Sequence, residues 1–363
     1  MIISCSEIVI ILNELLARKN NEISLLPFFD EEKIFNYNLK NRNLILKTKP
    51  QSWRNSIDTF CNKYSLTDSA KKEMPEFDEI KKATVSAGLL KPEGINELIN
   101  LIKDYLEPKE RLNRRKRFII ALDTNQLIDN VMSSYVEKEF SITENIQLRN
   151  FISYIISSWV LSERDAFLRN EKNKGIEELN NKLKRDFKFY IPEKIDKKAR
   201  LGYSIFSELK ALEESYTQLE CKKQSQEKYE IMKNKNLKDQ AIIEEYEDYK
   251  RSLKDVRLVY VTSDDQSYGL SCDRLESIKI RDHNKIPSEI NCDFENGAKL
   301  IYQLTLFLGF LRINCYNIKF NIYYNRKEHY DWENKKLEFI CVDKEFEESI
   351  SKSISIVRRL NEF

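Results

Sequence analysis

The sequence predicts an α/β fold: a central parallel sheet flanked by helices, with a mostly helical N-terminal domain before it and a small α+β segment after it. Two short, largely apolar runs, Phe118–Leu122 and Val256–Val261, read as strands buried on both faces. Helical stretches alternate with such runs between residues 117 and 290, as parallel strands joined by crossovers require. The chain has 363 residues, room for two or three domains at ~100–200 residues each.

Composition narrows the class. With 41% hydrophobic and 33% charged residues but only 7 Gly and 7 Pro, the chain is neither collagen-like nor wholly disordered. The 61 Lys+Arg against 59 Asp+Glu leave a formal +2, so only local patches can speak for nucleic acid. Its 7 Cys are widely spaced and its 2 His, His283 and His329, offer no zinc-cage spacing. Free thiols in a reducing cytoplasm follow. The start has no basic stretch ahead of its apolar residues and so does not read as a secretory signal. The apolar runs near Ile8–Leu16 and Leu304–Leu311 fall short of the ~20 residues a membrane span needs. A soluble cytoplasmic protein without membrane contact is expected.

Taken in order, residues 1–108 form the mostly helical domain. Glu7–Leu16 is apolar on most faces, and Ile95–Leu106 carries a helical stripe at 95, 98, 99, 102, 105 and 106. A basic stretch, 109–117, marks the boundary. The central domain spans 117–290. Phe118–Leu122 is its first strand, and Phe151–Leu161 reads as a strand running into a helix at 162–168. The charged, glycine-poor stretch at about 170–236 reads as a helical insertion. Ala241–Leu253 is a helix, Val256–Val261 a strand, and Leu275–Ile280 a further strand. In the 291–363 segment, Gly297–Leu311 and Phe346–Leu360 read as helices, Tyr316–Tyr324 and Leu337–Val342 as strands.

Four acids fall at the ends of these elements. Asp123 directly follows the first strand, Glu163 lies just past the second, Asp239 opens a helix, and Asp264 follows Val261-Thr262-Ser263. Ligands of an open parallel sheet bind outside the carboxyl ends of its strands, so these residues can converge. Converging carboxylates repel unless a divalent cation neutralises them. Oxygen-only ligands favour Mg²⁺ or Mn²⁺, which keep bound waters and accept phosphate oxygens. Phosphodiester hydrolysis by a metal-activated water is the reaction implied. By itself Asp239 also suits a helix cap. Glu208 and Glu213, on a neighbouring helical stretch, read as a solvated face, and Asp129 and Asp165 as surface or capping residues.

In these residues the chain resembles the PIN-domain (PilT N-terminal) nucleases over roughly residues 117–280. Asp123-Thr124-Asn125 matches the acid and small polar pair ending their first strand, Val160-Leu161-Ser162-Glu163 the second acid, Asp239-Gln-Ala-Ile-Ile the third, and Thr262-Ser263-Asp264 the fourth. The resemblance implies that the four acids bind one or two Mg²⁺ or Mn²⁺, with Asn125 and Thr262 orienting them. It further implies RNA as substrate and 5′-phosphate products. Gln266 stands where many members carry Asp or Asn; whether Asp265 serves as a fifth ligand is left open.

Two basic stretches are candidate phosphate contacts: 109–117, with Arg114, Arg115 and Lys116, and 181–200, with Lys184, Arg185 and Lys188 among Phe187, Phe189 and Tyr190. A solvated linker and a helix end with core aromatics are the plainer readings. The expected function is a metal-dependent endoribonuclease acting on single-stranded RNA. A catalytically silent RNA-binding or scaffold protein and a structure-specific DNA nuclease are the alternatives. No residue separates RNA from DNA, and a second copy of the chain or a protein regulator is left open as a partner.

Overall fold

Residues Phe118 to Leu122 have no exposed surface, because they form the middle strand of an all-parallel sheet. A computed structural model describes residues 1–107, 117–168, 174–186, 197–221, 225–281, 285–324 and 335–360. Its strands are numbered β1–β13 along the chain. The molecule divides into two units, the first Met1–Leu90, Asn170–Arg200 and Asn284–Phe363, the second Lys91–Arg169 and Leu201–His283.

The second unit holds β5 (Arg117–Leu122), β6 (Ile152–Ile156), β7 (Tyr216–Gln218), β8 (Val256–Thr262) and β9 (Glu276–Lys279), in the spatial order β7-β6-β5-β8-β9. The chain winds outward from β5 through β6 to β7, then returns beside β5 for β8 and β9. The order therefore reverses between β5 and β8, which is where an open α/β sheet makes its ligand crevice. The strand-and-helix alternation read from sequence is present. The helical insertion is only partly so: β7 lies inside the 170–236 stretch and completes the sheet. A three-residue Tyr-Thr-Gln segment carries too little hydrophobic pattern to announce itself.

Helix Lys235–Ser252 is bonded to the carboxyl ends of β5 and β6. Tyr246 Oη donates to Leu122 O at 2.6 Å and accepts from Ser157 N at 2.9 Å. Glu245 accepts from Ser157 Oγ (2.5 Å), Ser158 N (2.8 Å) and Ser158 Oγ (2.7 Å). Tyr246 is fully buried, so Tyr246→Phe strands a backbone carbonyl and an N–H. An expected cost of about 1–3 kcal/mol would show as a lower chemical-denaturation midpoint with an unchanged slope.

The first unit differs from the sequence expectation. Its core is an eight-stranded antiparallel sheet, with the order β1-β13-β12-β11-β2-β3-β4-β10. N-terminal strands β1 (Ile2–Ser4), β2 (Glu22–Pro27), β3 (Phe35–Asn38) and β4 (Asn43–Leu46) interleave with β10 (Glu289–Asn291), β11 (Phe310–Cys315), β12 (Ile318–Tyr323) and β13 (Lys336–Cys341). Neither a mostly helical 1–108 domain nor a separate 291–363 segment is formed. Residues Ile23 to Pro27 are all buried, so β2 lacks the alternation that would mark it as a strand. Its pairing with β11 joins residues far apart in sequence. Gly309, at φ 83°, ends helix Phe294–Leu308, and β11 begins where the periodicity suggested continued helix. Among the described residues, no helix is long and apolar enough to cross a membrane.

Candidate functional site

Asp123 leaves β5 as the N-cap of the short helix Thr124–Ile128 and is 6% exposed. Its Oδ1 accepts from Thr124 N at 2.7 Å, and its Oδ2 from Thr262 Oγ1 at 2.8 Å. Thr262 Oγ1 also accepts from Asp264 N at 3.1 Å. The two strand-end acids at the reversal point are thus tied together through one hydroxyl. Asp264 caps helix Asp265–Ser271, its Oδ1 accepting from Gln266 N (2.8 Å) and Ser267 N (3.2 Å).

The other two acids come from helices. Glu163 sits in the second turn of helix Ser158–Leu168, which starts earlier than the sequence suggested. Its Oε2 accepts from Thr124 Oγ1 at 2.7 Å. Asp239 does not open its helix; Asn234 is the cap, accepting from Asn236 N and Leu237 N. Instead Asp239 begins the buried stripe 239, 242, 243, 246, the i, i+3, i+4, i+7 face that normally holds apolar side chains. It is 6% exposed, and its Oδ2 is buried without a hydrogen-bond partner.

Two lysines enter this group unannounced by the sequence reading. Lys238 Nζ contacts Glu163 Oε1 at 2.5 Å, and Lys235 Nζ contacts Asp264 Oδ2 at 2.7 Å. The sequence pattern places the helix start at Asp239, which leaves both lysines outside it, whereas the helix begins at Lys235. A start at Asn234 would have put Lys235, Lys238 and Asp239 together at the head of one helix.

The electrostatics show that the acids sense one another. Burial, reinforced by the charges of Glu163 and Asp239, pushes the Asp123 carboxyl up to about 6 against the bonds from Thr262 and Thr124. Burial also raises Asp239, helped by Asp264 and Glu163 and opposed by both lysines. Burial works to raise Asp264 as well, but the Lys235 ammonium and the Ser267 and Gln266 amides outweigh it and hold it low. The hydrogen bond to Asp264 raises Lys235, with the Asp239 and Asp123 charges adding to it. No family model matches this sequence, and neither a curated protein nor a solved structure matches it.

As placed, no group of three or more His, Cys, Asp or Glu among the described residues stands close enough to hold a metal ion. The carboxylates are gathered but are spread over the lysines and hydroxyls just named. Of the remaining candidates, Asp265 pairs with Lys279 and Arg281 and is 85% exposed, so it is not drawn into the group. Asn125 makes no side-chain hydrogen bond among the described residues; Thr124 next to it does the orienting.

Glu208 overturns the solvated-face reading: it has no exposed surface and accepts from Ser133 N at 2.8 Å and from Ser133 Oγ. Glu213 is solvated and pairs with Lys210 at 2.5 Å. Asp129 is buried as a helix C-cap, not on the surface, while Asp165 pairs with Arg164 at 2.7 Å on a partly exposed face. Arg114, Arg115, Lys116, Lys188, Phe187, Phe189, Tyr190, His283 and His329 lie outside the described residues. Lys184 is exposed on helix Lys174–Asp186 of the first unit; Arg185 follows on the same helix.

Proposed function

We propose that this chain is a metal-dependent nuclease of the PIN type that hydrolyses phosphodiester bonds in single-stranded RNA. One observation carries the reading. Asp123 and Asp264 follow the two strands at the order reversal of a parallel sheet and share Thr262, Glu163 accepts from Thr124 beside Asp123, and the buried Asp239 Oδ2 has no donor. A buried carboxylate oxygen without a partner is costly, and a cation would satisfy it. The donor set, all oxygen, suits Mg²⁺ or Mn²⁺; as placed the acids stand too far apart to hold one, so taking up an ion would require them to draw together from Thr124, Thr262, Lys235 and Lys238.

When bound, such an ion supplies an acidified water for attack on phosphorus and charge for the departing oxygen. The chain's own residues do the positioning. Thr262 fixes Asp123 and the Asp264 backbone in one register. Thr124 and Lys238 hold the two oxygens of Glu163, and Tyr246 and Glu245 pin the helix that delivers Asp239.

The ion pairs Lys238–Glu163 and Lys235–Asp264 favour a second reading. They neutralise two carboxylates without metal, as a catalytically silent RNA-binding protein would need. Incubating the full chain with end-labelled single-stranded RNA and DNA, in Mn²⁺ or in EDTA, separates the two. Cleavage of RNA that requires Mn²⁺ and leaves 5′-phosphates is the expected result. RNA bound but uncut in both Mg²⁺ and Mn²⁺ would establish the silent reading, and selective cutting of branched DNA would point to a structure-specific DNA nuclease.

A further inference from the structure

We infer that the first unit carries a binding site for a nucleoside monophosphate, free or as the 5′-phosphorylated end of a strand. The site is a cavity of about 890 Å³, lined from β4, from the opening turns of helices Pro50–Lys63 and Phe77–Ser86, and from residues 285 and 286. Small-ligand sites occupy ~300–1,000 Å³. It shares no residue with the acidic group and does not rest on the nuclease reading.

Its wall is apolar, built of Leu46, Trp53, Ile57, Phe77 and Ile286. Trp53 Nε1 donates to Pro75 O at 2.9 Å, and the Trp53 and Phe77 rings meet edge to face at 6.5 Å. The indole's polar atom is satisfied, so that wall is held by the protein itself. A flat heterocycle is the body it accepts. One polar atom interrupts it. Thr48, which also lines the cavity, is 4% exposed, and its Oγ1 is buried without a hydrogen-bond partner. An unmet hydroxyl costs free energy. A ring nitrogen or carbonyl oxygen seated against it removes that cost and orients the ring.

The mouth is cationic. Lys49, Arg54 and Lys285 are exposed and form no ion pair among the described residues. Glu76 and Asp78 also line the cavity, but Lys81 pairs with Asp78 at 2.6 Å and Glu76 is taken up in a capping box with Glu79. Helix Pro50–Lys63 has no side-chain cap and no acid in its first turn, so its positive end is unanswered. Three unpaired cations beside an uncapped helix start select a dianion, and phosphate is the one that both features receive.

Equilibrium dialysis of the full chain against the 5′-monophosphates of adenosine, guanosine, cytidine and uridine tests this. At least one is expected to bind, once per chain, with a Kd below about 1 mM. Its nucleoside, and inorganic phosphate, should each bind roughly tenfold more weakly or worse. Arg54→Gln with Lys285→Gln, both at exposed positions, is expected to weaken binding by roughly tenfold or more. Thr48→Val should weaken it roughly fivefold and also raise the thermal midpoint of the free chain, since no hydroxyl is then left unmet. A threonine with a purely structural role would not do both. Competition by 5′-phosphorylated but not 5′-hydroxyl oligonucleotides assigns the site to strand ends, and competition by neither assigns it to the free nucleotide. Equal competition by both, no monophosphate bound, or substituted chains that bind like the wild type would overturn the proposal.

Discussion

Asp123→Asn is expected to lower Mn²⁺-dependent RNA cleavage by on the order of 10²–10³-fold and, in the same protein, to raise stability. The two effects have one cause. Asp123 is buried, and its proton is held up to about pH 6, chiefly by burial and then by the charges of Glu163 and Asp239. A carboxyl whose folded value lies above its unfolded value contributes stability only while it is protonated. That contribution is complete below the ordinary carboxylate range and disappears as pH rises through about 6. At pH 8 the metal-free wild type therefore carries a penalty on the order of 3 kcal/mol, which a neutral amide lacks.

Thermal unfolding in EDTA should place the Asn variant above the wild type, with the gap widening from about pH 4 to about pH 6 and level above that. Wild-type cleavage rates in the variant would remove Asp123 from the machinery. A stability gap that does not change with pH would remove the electrostatic account of the site.

Gly94→Ala is expected to be among the most damaging single-methyl additions, costing roughly 2–4 kcal/mol. Gly94 has φ +87°, and a Cβ there would stand 2.2 Å from the backbone oxygen of Lys279 and 3.1 Å from its carbonyl carbon. The neighbouring backbones are already joined, Glu93 N donating to Arg281 O at 2.9 Å and Arg281 N to Glu93 O at 3.0 Å. Neither side can retreat without opening the end of β9. Gly269→Ala is the control: nothing lies within 4 Å of its Cβ position in helix Asp265–Ser271. There a gain of about 0.4–1 kcal/mol is expected. Equal effects at the two positions in chemical denaturation would contradict the close backbone approach.

The parallel sheet was legible because its central strands are buried on both faces and therefore read as unbroken apolar runs, each closed by an acid. Asp123 and Asp264 were found on that logic, since the end of a buried strand is an address visible in one dimension. Glu163 and Asp239 follow from the same logic of element ends, but the structure shifts their places by about a turn, because helix starts depend on caps such as Asn234 that compete with many similar residues. The antiparallel sheet of the first unit was not legible. Its strands are short, β2 shows no alternation, and its partners lie at the far end of the chain. Glu208 was misread for a related reason: helical spacing puts it on a polar face, and only Ser133, brought beside it by folding, makes that face an interior.

What the sequence determined by itself was local: which segments are apolar enough to be central strands, and which acids stand at their ends. Tertiary structure alone decided that Lys235 and Lys238 reach Asp264 and Glu163, that Thr262 bridges two of the acids, and that Asp239 is the one left without a donor. Periodicity reports which face of an element is buried, but not what it is buried against. A charge acquires its partner, or goes without one, only when elements distant in the chain are brought within a few ångströms.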